Sequence, residues 1–205
     1  MTVTARIFLA SRSPRRRELL TQISISFDTL LFRDKPREDP EIDETPLPGE
    51  DPVAYVLRVA HAKAAHGHRL VGWRHLRPQP VLSADTTLEV DGDIIGKPVD
   101  TADAFAILRR LSGRAHRVLT AVAVSTPAGQ VFEALSENIV TFRELSDDEI
   151  ERYVASGEPM DKAGAYGIQG RAGMFVSRLE GSFTGVMGLP VCETALLLRQ
   201  AGYPI

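Results

Sequence analysis

With 205 residues, 43% of them hydrophobic and 25% charged, the chain has the make-up of an ordinary folded protein, which excludes a disordered or fibrous one. A formal charge of −3 at pH 7 excludes the broad basic field of a protein that coats nucleic acid, so positive charge must act locally. The single cysteine, Cys192, rules out an internal disulfide, and its expected place is as a small buried residue in a helix. Met1 to Arg6 reads as neither a signal peptide nor a span, and no stretch reaches the ~18 apolar residues a membrane helix needs. A cytoplasmic location is the expectation.

In chain order, a short apolar strand beginning at Ile7 runs into a helix opened by Ser13 as N-cap and Pro14 in the first turn. That junction is built like an anion site, with free helix N–H groups, the positive end of the helix dipole, and Arg15, Arg16 and Arg17. A capped surface helix with a solvated basic turn accounts for the same residues equally well. A second short strand is expected near Phe27 to Phe32, followed by a long loop from Arg33 to Pro52 rich in proline and acids. Asp51 caps a helix from Pro52 to about His66, in which Val53, Val56, Ala60 and Ala64 recur at helical spacing.

Val81 to Val90 reads as a strand, Asp91-Gly92 as a tight turn, and Ile94-Ile95 as the start of the return. Thr101 to Leu111 is an amphipathic helix ending at Ser112-Gly113. Arg117 to Val124 and Gln130 to Phe142 form β-rich runs around Pro127-Ala128-Gly129. Ser146 and Glu149 have capping-box spacing for a helix that stops near Gly157. A glycine-laden stretch from Glu158 to Gly173, a strand at Met174 to Leu179, a glycine-rich turn and a helix from Pro190 to Ala201 complete the chain. Strands and helices alternating at both ends of an antiparallel middle define a mixed α/β fold, with two lobes sharing one cleft.

Several residues sit where packing alone would place something else. Asp85 puts a carboxylate at the end of the apolar run Val81-Leu82-Ser83-Ala84. A two-residue turn would bring Lys97, flanked by Gly96 and Pro98, opposite Thr86 and beside Asp85, although a plain cross-strand ion pair fits equally. Lys63 falls on the helix face that should be apolar, where a snorkelling lysine is the ordinary reading. Glu44, in the long loop, would join Asp85 in holding magnesium if the loop folds over the cleft. The five histidines form no zinc set. Gln169, flanked by glycines in Asp161 to Gly170, offers the donor and acceptor that match the N3–H and O4 edge of uracil or thymine; a structural loop with a satisfied glutamine is the alternative. No Walker loop, dinucleotide fingerprint or nucleophile elbow occurs.

The blocks Leu9-Ala10-Ser11-Arg12-Ser13-Pro14-Arg15-Arg16, Ala84-Asp85-Thr86, Gly96-Lys97-Pro98, Asp161 to Gly170 and Gly188-Leu189-Pro190 strongly resemble the Maf family of nucleoside triphosphate pyrophosphatases. The resemblance runs from Leu9 to about Leu198. It implies an α/β fold with a mixed elongated sheet, helices on its faces and two lobes around a central cleft, similar to inosine triphosphate pyrophosphatase, with residues 1–205 as one such domain. It further implies cleavage of the α–β phosphate bond with a divalent cation, magnesium or else manganese. Asp85 takes the place of the essential aspartate, and Ser11, Glu44, Lys63 and Lys97 those of the phosphate and metal residues. The branch it looks like acts on dTTP and UTP, with room for modified pyrimidine triphosphates, and its selectivity positions fall on Arg15, Thr86 and Gln169. The loop before Glu44 is long, which leaves Glu41 or Glu50 as substitutes. The expected partner is a small nucleotide, with a homodimer as the assembly and neither a stable nucleic-acid complex nor a membrane involved. The rivals are a non-enzymatic regulator that binds nucleotide or nucleic acid through Arg15, Arg16 and Arg17, and a phosphatase releasing orthophosphate.

Overall fold

The computed structural model describes residues 5–32 and 42–205. Strand β1 (Ile7–Leu9) leads into α1 (Pro14–Gln22), and β2 (Phe27–Thr29) follows. Next come α2 (Pro52–Trp73), the hairpin β3 (Val81–Val90) and β4 (Asp93–Ile95), and α3 (Thr101–Leu111). A second hairpin, β5 (Ala115–Ser125) and β6 (Val131–Phe142), precedes α4 (Asp147–Val154). After three short 3-10 turns the chain closes with β7 (Val176–Glu180), α5 (Phe183–Met187) and α6 (Val191–Gln200).

The strands form one sheet in the order β2-β1-β3-β5-β6-β7, with β4 also paired to β3. Only β1 runs parallel to its neighbours; every other pairing is antiparallel, including that of β7 on β6. The period of two along β5 sorts the core. Val118, Val122 and Val124 face the cluster that holds Leu108 of α3, Ile150 of α4 and Leu198 of α6, whereas Leu119, Ala121 and Ala123 lie under Val56, Ala60 and Ala64 of α2. Helix α2 thus covers one face of the sheet and the remaining helices the other.

Helix α2 runs past His66 to Trp73. Gly67 does not stop it: a Cβ there would come within 2.7 Å of Val81 Cγ1, so glycine at this point is what lets the helix lie close on β3. Asp91 and Gly92 both take positive φ, 58° and 85°, the type I′ turn expected between β3 and β4. The glycine-laden stretch from Glu158 to Gly173 contains three 3-10 turns, the last of which runs on to Phe175, so β7 starts two residues later than the strand expected from Met174; the glycine-rich turn before α6 includes the five-residue helix α5. Strand β2 ends at Thr29, short of Phe32, and Cys192 is exposed on α6 where burial was expected.

One interruption matters most. On the side of β3 away from β5, β1 pairs with Val81 and Leu82, and β4 pairs with Leu88 to Val90. Between them, Ser83 to Thr87 have no strand partner on that side among the described residues. The sheet is open there.

Candidate active site

A cavity of about 840 Å³ fills that opening. Its lining includes Ser11, Arg15, Glu44, Lys63, Asp85, Thr86, Lys97 and Gln169, so these eight residues, from distant parts of the chain, border one space. Adjacent strand residues point to opposite faces of a sheet, yet Asp85 and Thr86 both reach this cavity because it wraps around the unpaired stretch of β3.

On the α2 face the site is ionic. Lys63 Nζ lies 2.9 Å from Asp85 Oδ1 and 2.9 Å from Glu44 Oε1, so one ammonium joins two carboxylates. The Lys63 and Asp85 side chains are 12% and 11% exposed, and that of Glu44 is 53% exposed. Ser83 Oγ donates to Ala60 O at 2.7 Å, which pins β3 to α2 just before Lys63. Tyr55 Oη donates to Glu44 O at 3.0 Å, and burial together with the charges of Asp85 and Glu44 pushes this phenol upward. Arg58 holds the loop on α2 by donating to Asp43 O, Thr45 O and both Glu50 oxygens.

Of Glu44 and Glu50, the two candidate loop acids among the described residues, Glu44 borders the cavity. Glu50 is taken up by Arg58 at 2.6 Å, whose hydrogen bonds, with that of Leu47 N, pull its carboxyl down to about 2. Glu41 lies outside the described residues.

On the α1 face the site is a clip of hydrogen bonds. Arg16 donates to Ser11 Oγ at 3.2 Å, Thr86 Oγ1 at 3.2 Å and Gly188 O at 2.7 Å. Thr86 Oγ1 also meets Thr120 Oγ1 at 2.9 Å, and Thr120 donates to Gly185 O at 2.8 Å. The expected N-cap is present, Ser13 Oγ accepting from Arg16 N at 3.4 Å. Burial lowers the Arg16 pKa from its usual guanidinium value, opposed by Asp85. In the sequence Arg16 is only one of three arginines in a basic turn, with no role of its own, although a signal for its inward direction exists. It lies three and four residues before the buried Leu19 and Leu20, on the inward face of α1.

Arg15 turns instead to the glycine-rich segment, donating to Asp161 Oδ2 at 3.1 Å. Asp161 also contacts Lys162, whose Nζ donates to Glu158 O at 2.5 Å as well. Lys162 too borders the cavity and was not foreseen. Its stem and Gln169 Oε1 flank Gly167, where a Cβ would come within 2.9 Å of Lys162 Cε and 3.3 Å of Gln169 Oε1. Lys97 does not continue the β3–β4 ladder. The pairing stops at Leu88 and Ile95, and Gly96 O accepts from Gly164 N at 2.9 Å, which steers Lys97 to the cavity rim without an ion pair among the described residues.

No three His, Cys, Asp or Glu side chains gather among the described residues. His61 pairs with Glu133 and His66 lies edge-on between Phe32 and Trp73. No helix among the described residues is long and apolar enough to cross a membrane.

The architecture is that of a known α/β class. The structure of the Staphylococcus aureus Ham1 protein is similar with a TM-score of 0.51 at 14% identity, covering 97% of this chain and 100% of that one, which is a likeness of fold. The sequence places the chain more narrowly: the family described as Maf-like protein matches residues 6–201, and the chain belongs to it. Among its relatives are the dTTP/UTP pyrophosphatase of Dechloromonas aromatica, 69% identical over 198 residues (97% of this chain, 98% of that one), and that of Aromatoleum aromaticum, 59% identical over 204 residues (99% and 98%). A third, from Chromobacterium violaceum, bears the same name at 52% identity over 204 residues, 100% of this chain and 98% of that one.

Proposed function

We propose that this chain is a nucleoside triphosphate pyrophosphatase that hydrolyses the α–β phosphate bond of dTTP and UTP to the monophosphate and pyrophosphate. The observation that carries this reading is the meeting of Glu44, Lys63 and Asp85 in one cavity with Lys97 and Arg16, in a chain 69% identical to a protein of that name. Two carboxylates converging on one cation suit magnesium, which takes one or two protein carboxylates and fills its remaining positions with water and phosphate oxygens. Glu44 and Asp85 would hold it, or manganese in its place. When bound, such a cation supplies Lewis-acid stabilisation of charge on the phosphates.

The protein's own groups do the rest. Lys63 and Lys97 neutralise charge growing on the leaving pyrophosphate. Asp85, buried and facing Lys63, takes the proton of the attacking water or fixes the cation beside it. Ser11 and the α1 terminus receive phosphate oxygens. Gln169 reads the pyrimidine edge, with Thr86 and Arg15 setting the shape of that end. Carboxylates among these cations argue against the regulator reading, because a pure anion binder would not bring two negative charges to its phosphate site. Two lobes of one domain on either side of the cavity, and a cytoplasmic location, fit this role.

The deciding assay incubates the protein with magnesium and, in turn, dTTP, UTP, dCTP and dGTP, reading monophosphate, pyrophosphate and orthophosphate separately. Pyrophosphate from dTTP and UTP is the expected outcome. Orthophosphate release, or tight binding without turnover, would overturn it.

A further inference from the structure

Among the cations of the cavity, Lys63 stands apart. Arg16 spends its donors on a serine, a threonine and a main-chain oxygen, all neutral, and so is built in as part of the frame. Lys97 has no ion pair among the described residues. Lys63 alone is held by both acids that would bind a divalent cation, at equal distances of 2.9 Å.

We propose that Lys63 is an exchangeable counter-ion: in the nucleotide-free protein its ammonium neutralises Glu44 and Asp85, and an incoming triphosphate draws it off, so that the divalent cation enters only together with nucleotide. This rests on the pyrophosphatase reading. The physical argument is competition. The ammonium of a side chain only 12% exposed screens both carboxylates, and a second cation placed beside it would meet repulsion that the surrounding solvent weakens only in part. A triphosphate reverses the balance, since its oxygens carry more negative charge than the two acids and accept from the same ammonium. A lysine suits exchange better than an arginine. Its donors rotate on a flexible four-carbon stem and need no fixed fork, so it can leave one set of oxygens for another. The stem begins on a helix pinned to β3 through Ser83 and Ala60, so the head moves while its root stays fixed.

The test is a titration with Mn²⁺, read by electron paramagnetic resonance as free ion, without any turnover. Wild-type protein should bind Mn²⁺ weakly alone and at least about tenfold more tightly with α,β-methylene-dUTP, which cannot be cleaved between those phosphates. Lys63→Met should bind Mn²⁺ alone about tenfold more tightly than wild type. Lys63→Gln, which keeps a polar head without charge, should do the same and guards against a fold defect in the methionine variant. Adding Glu44→Gln to Lys63→Met should abolish the gain, locating it at this pair of acids. Equal Mn²⁺ affinity in wild type and both Lys63 variants would overturn the proposal, as would wild-type affinity indifferent to the analogue. Wild-type conversion of dTTP is measured separately; its absence would sink the pyrophosphatase reading and leave the Mn²⁺ result to judge Lys63 on its own.

Discussion

The two faces of β3 handle charge in opposite ways. Toward α2, Asp85, Glu44 and Lys63 form an ionic group in which Lys63 and Asp85 are largely buried and Glu44 is exposed. Toward α1, Arg16, Ser11, Thr86 and Thr120 form a chain of hydrogen bonds that ends on the main chain of Gly185 and Gly188. Deeper on that second face even a titratable group is kept neutral. His116, 3% exposed, has its Nε2 2.9 Å from Tyr166 Oη among Phe142 and Phe175, and burial pushes its pKa down to about 4. The contrast teaches that one face is built to change partners and the other to stay fixed. Under the proposed function the first face carries the charges that act on the phosphates, and the second frames the bound substrate.

Substitutions sharpen or break this division. The largest effect is expected from Asp85→Asn, which should lower kcat for dTTP by about 10²–10⁴ while leaving the unfolding midpoint near wild type, since asparagine keeps the shape and Lys63 keeps Glu44. A stable Asp85→Asn protein with wild-type turnover would place the chemistry elsewhere.

The neutral face is probed through pH. His116 titrates near 6.5 when unfolded and about 4 when folded, so the stability gained by keeping it neutral is present above pH 6.5 and is lost as pH falls toward 4. The difference corresponds to about 3 kcal/mol over that window. Between pH 7.5 and 4.5 the denaturant midpoint of wild type should fall relative to that of His116→Phe. Parallel lines would mean that the histidine is not held neutral.

Arg16→Ala removes a charged donor from three acceptors and should destabilise by about 2 kcal/mol, read as a lower urea midpoint. If its only effect were on kcat, Arg16 would belong with the ionic group. Smallest of all, Thr86→Val takes one hydroxyl from the chain between Arg16 and Thr120 and should cost about 1 kcal/mol of stability. Its KM for dTTP should rise more than its kcat falls.

Much of the ionic face could be read from sequence because each member breaks a local rule. Asp85 interrupts an apolar strand and Lys63 an apolar helix stripe, and both anomalies prove to face the same space. The β3–β4 turn and the Ser146–Glu149 capping box were legible for the same reason: local backbone demands fix the residue type. The fixed face was harder. Nothing in three consecutive arginines says which one turns inward; helix phase decides it, through Leu19 and Leu20. Lys97 was placed by extending a ladder that ends two residues earlier, because Gly96 bonds to Gly164, a contact 68 positions away that no local pattern announces. The helix expected to end near His66 continues to Trp73, and its glycine at 67 is explained only by the close approach of Val81.

The opening beside β3 has a last consequence, for the backbone itself. Leu82 O accepts from Ala10 N, and by the alternation of a strand the peptide groups of Ala84 and Thr86 turn the same way, toward the cavity, with no ladder partner there among the described residues. The strand thus leaves two amides without a ladder partner at the centre of its sheet, that of Ala84 in a fully buried residue and that of Thr86 in a half-buried one, an edge where none should be. A ligand that reaches the Thr86 amide should slow its deuterium uptake, which makes this amide a built-in gauge of occupancy.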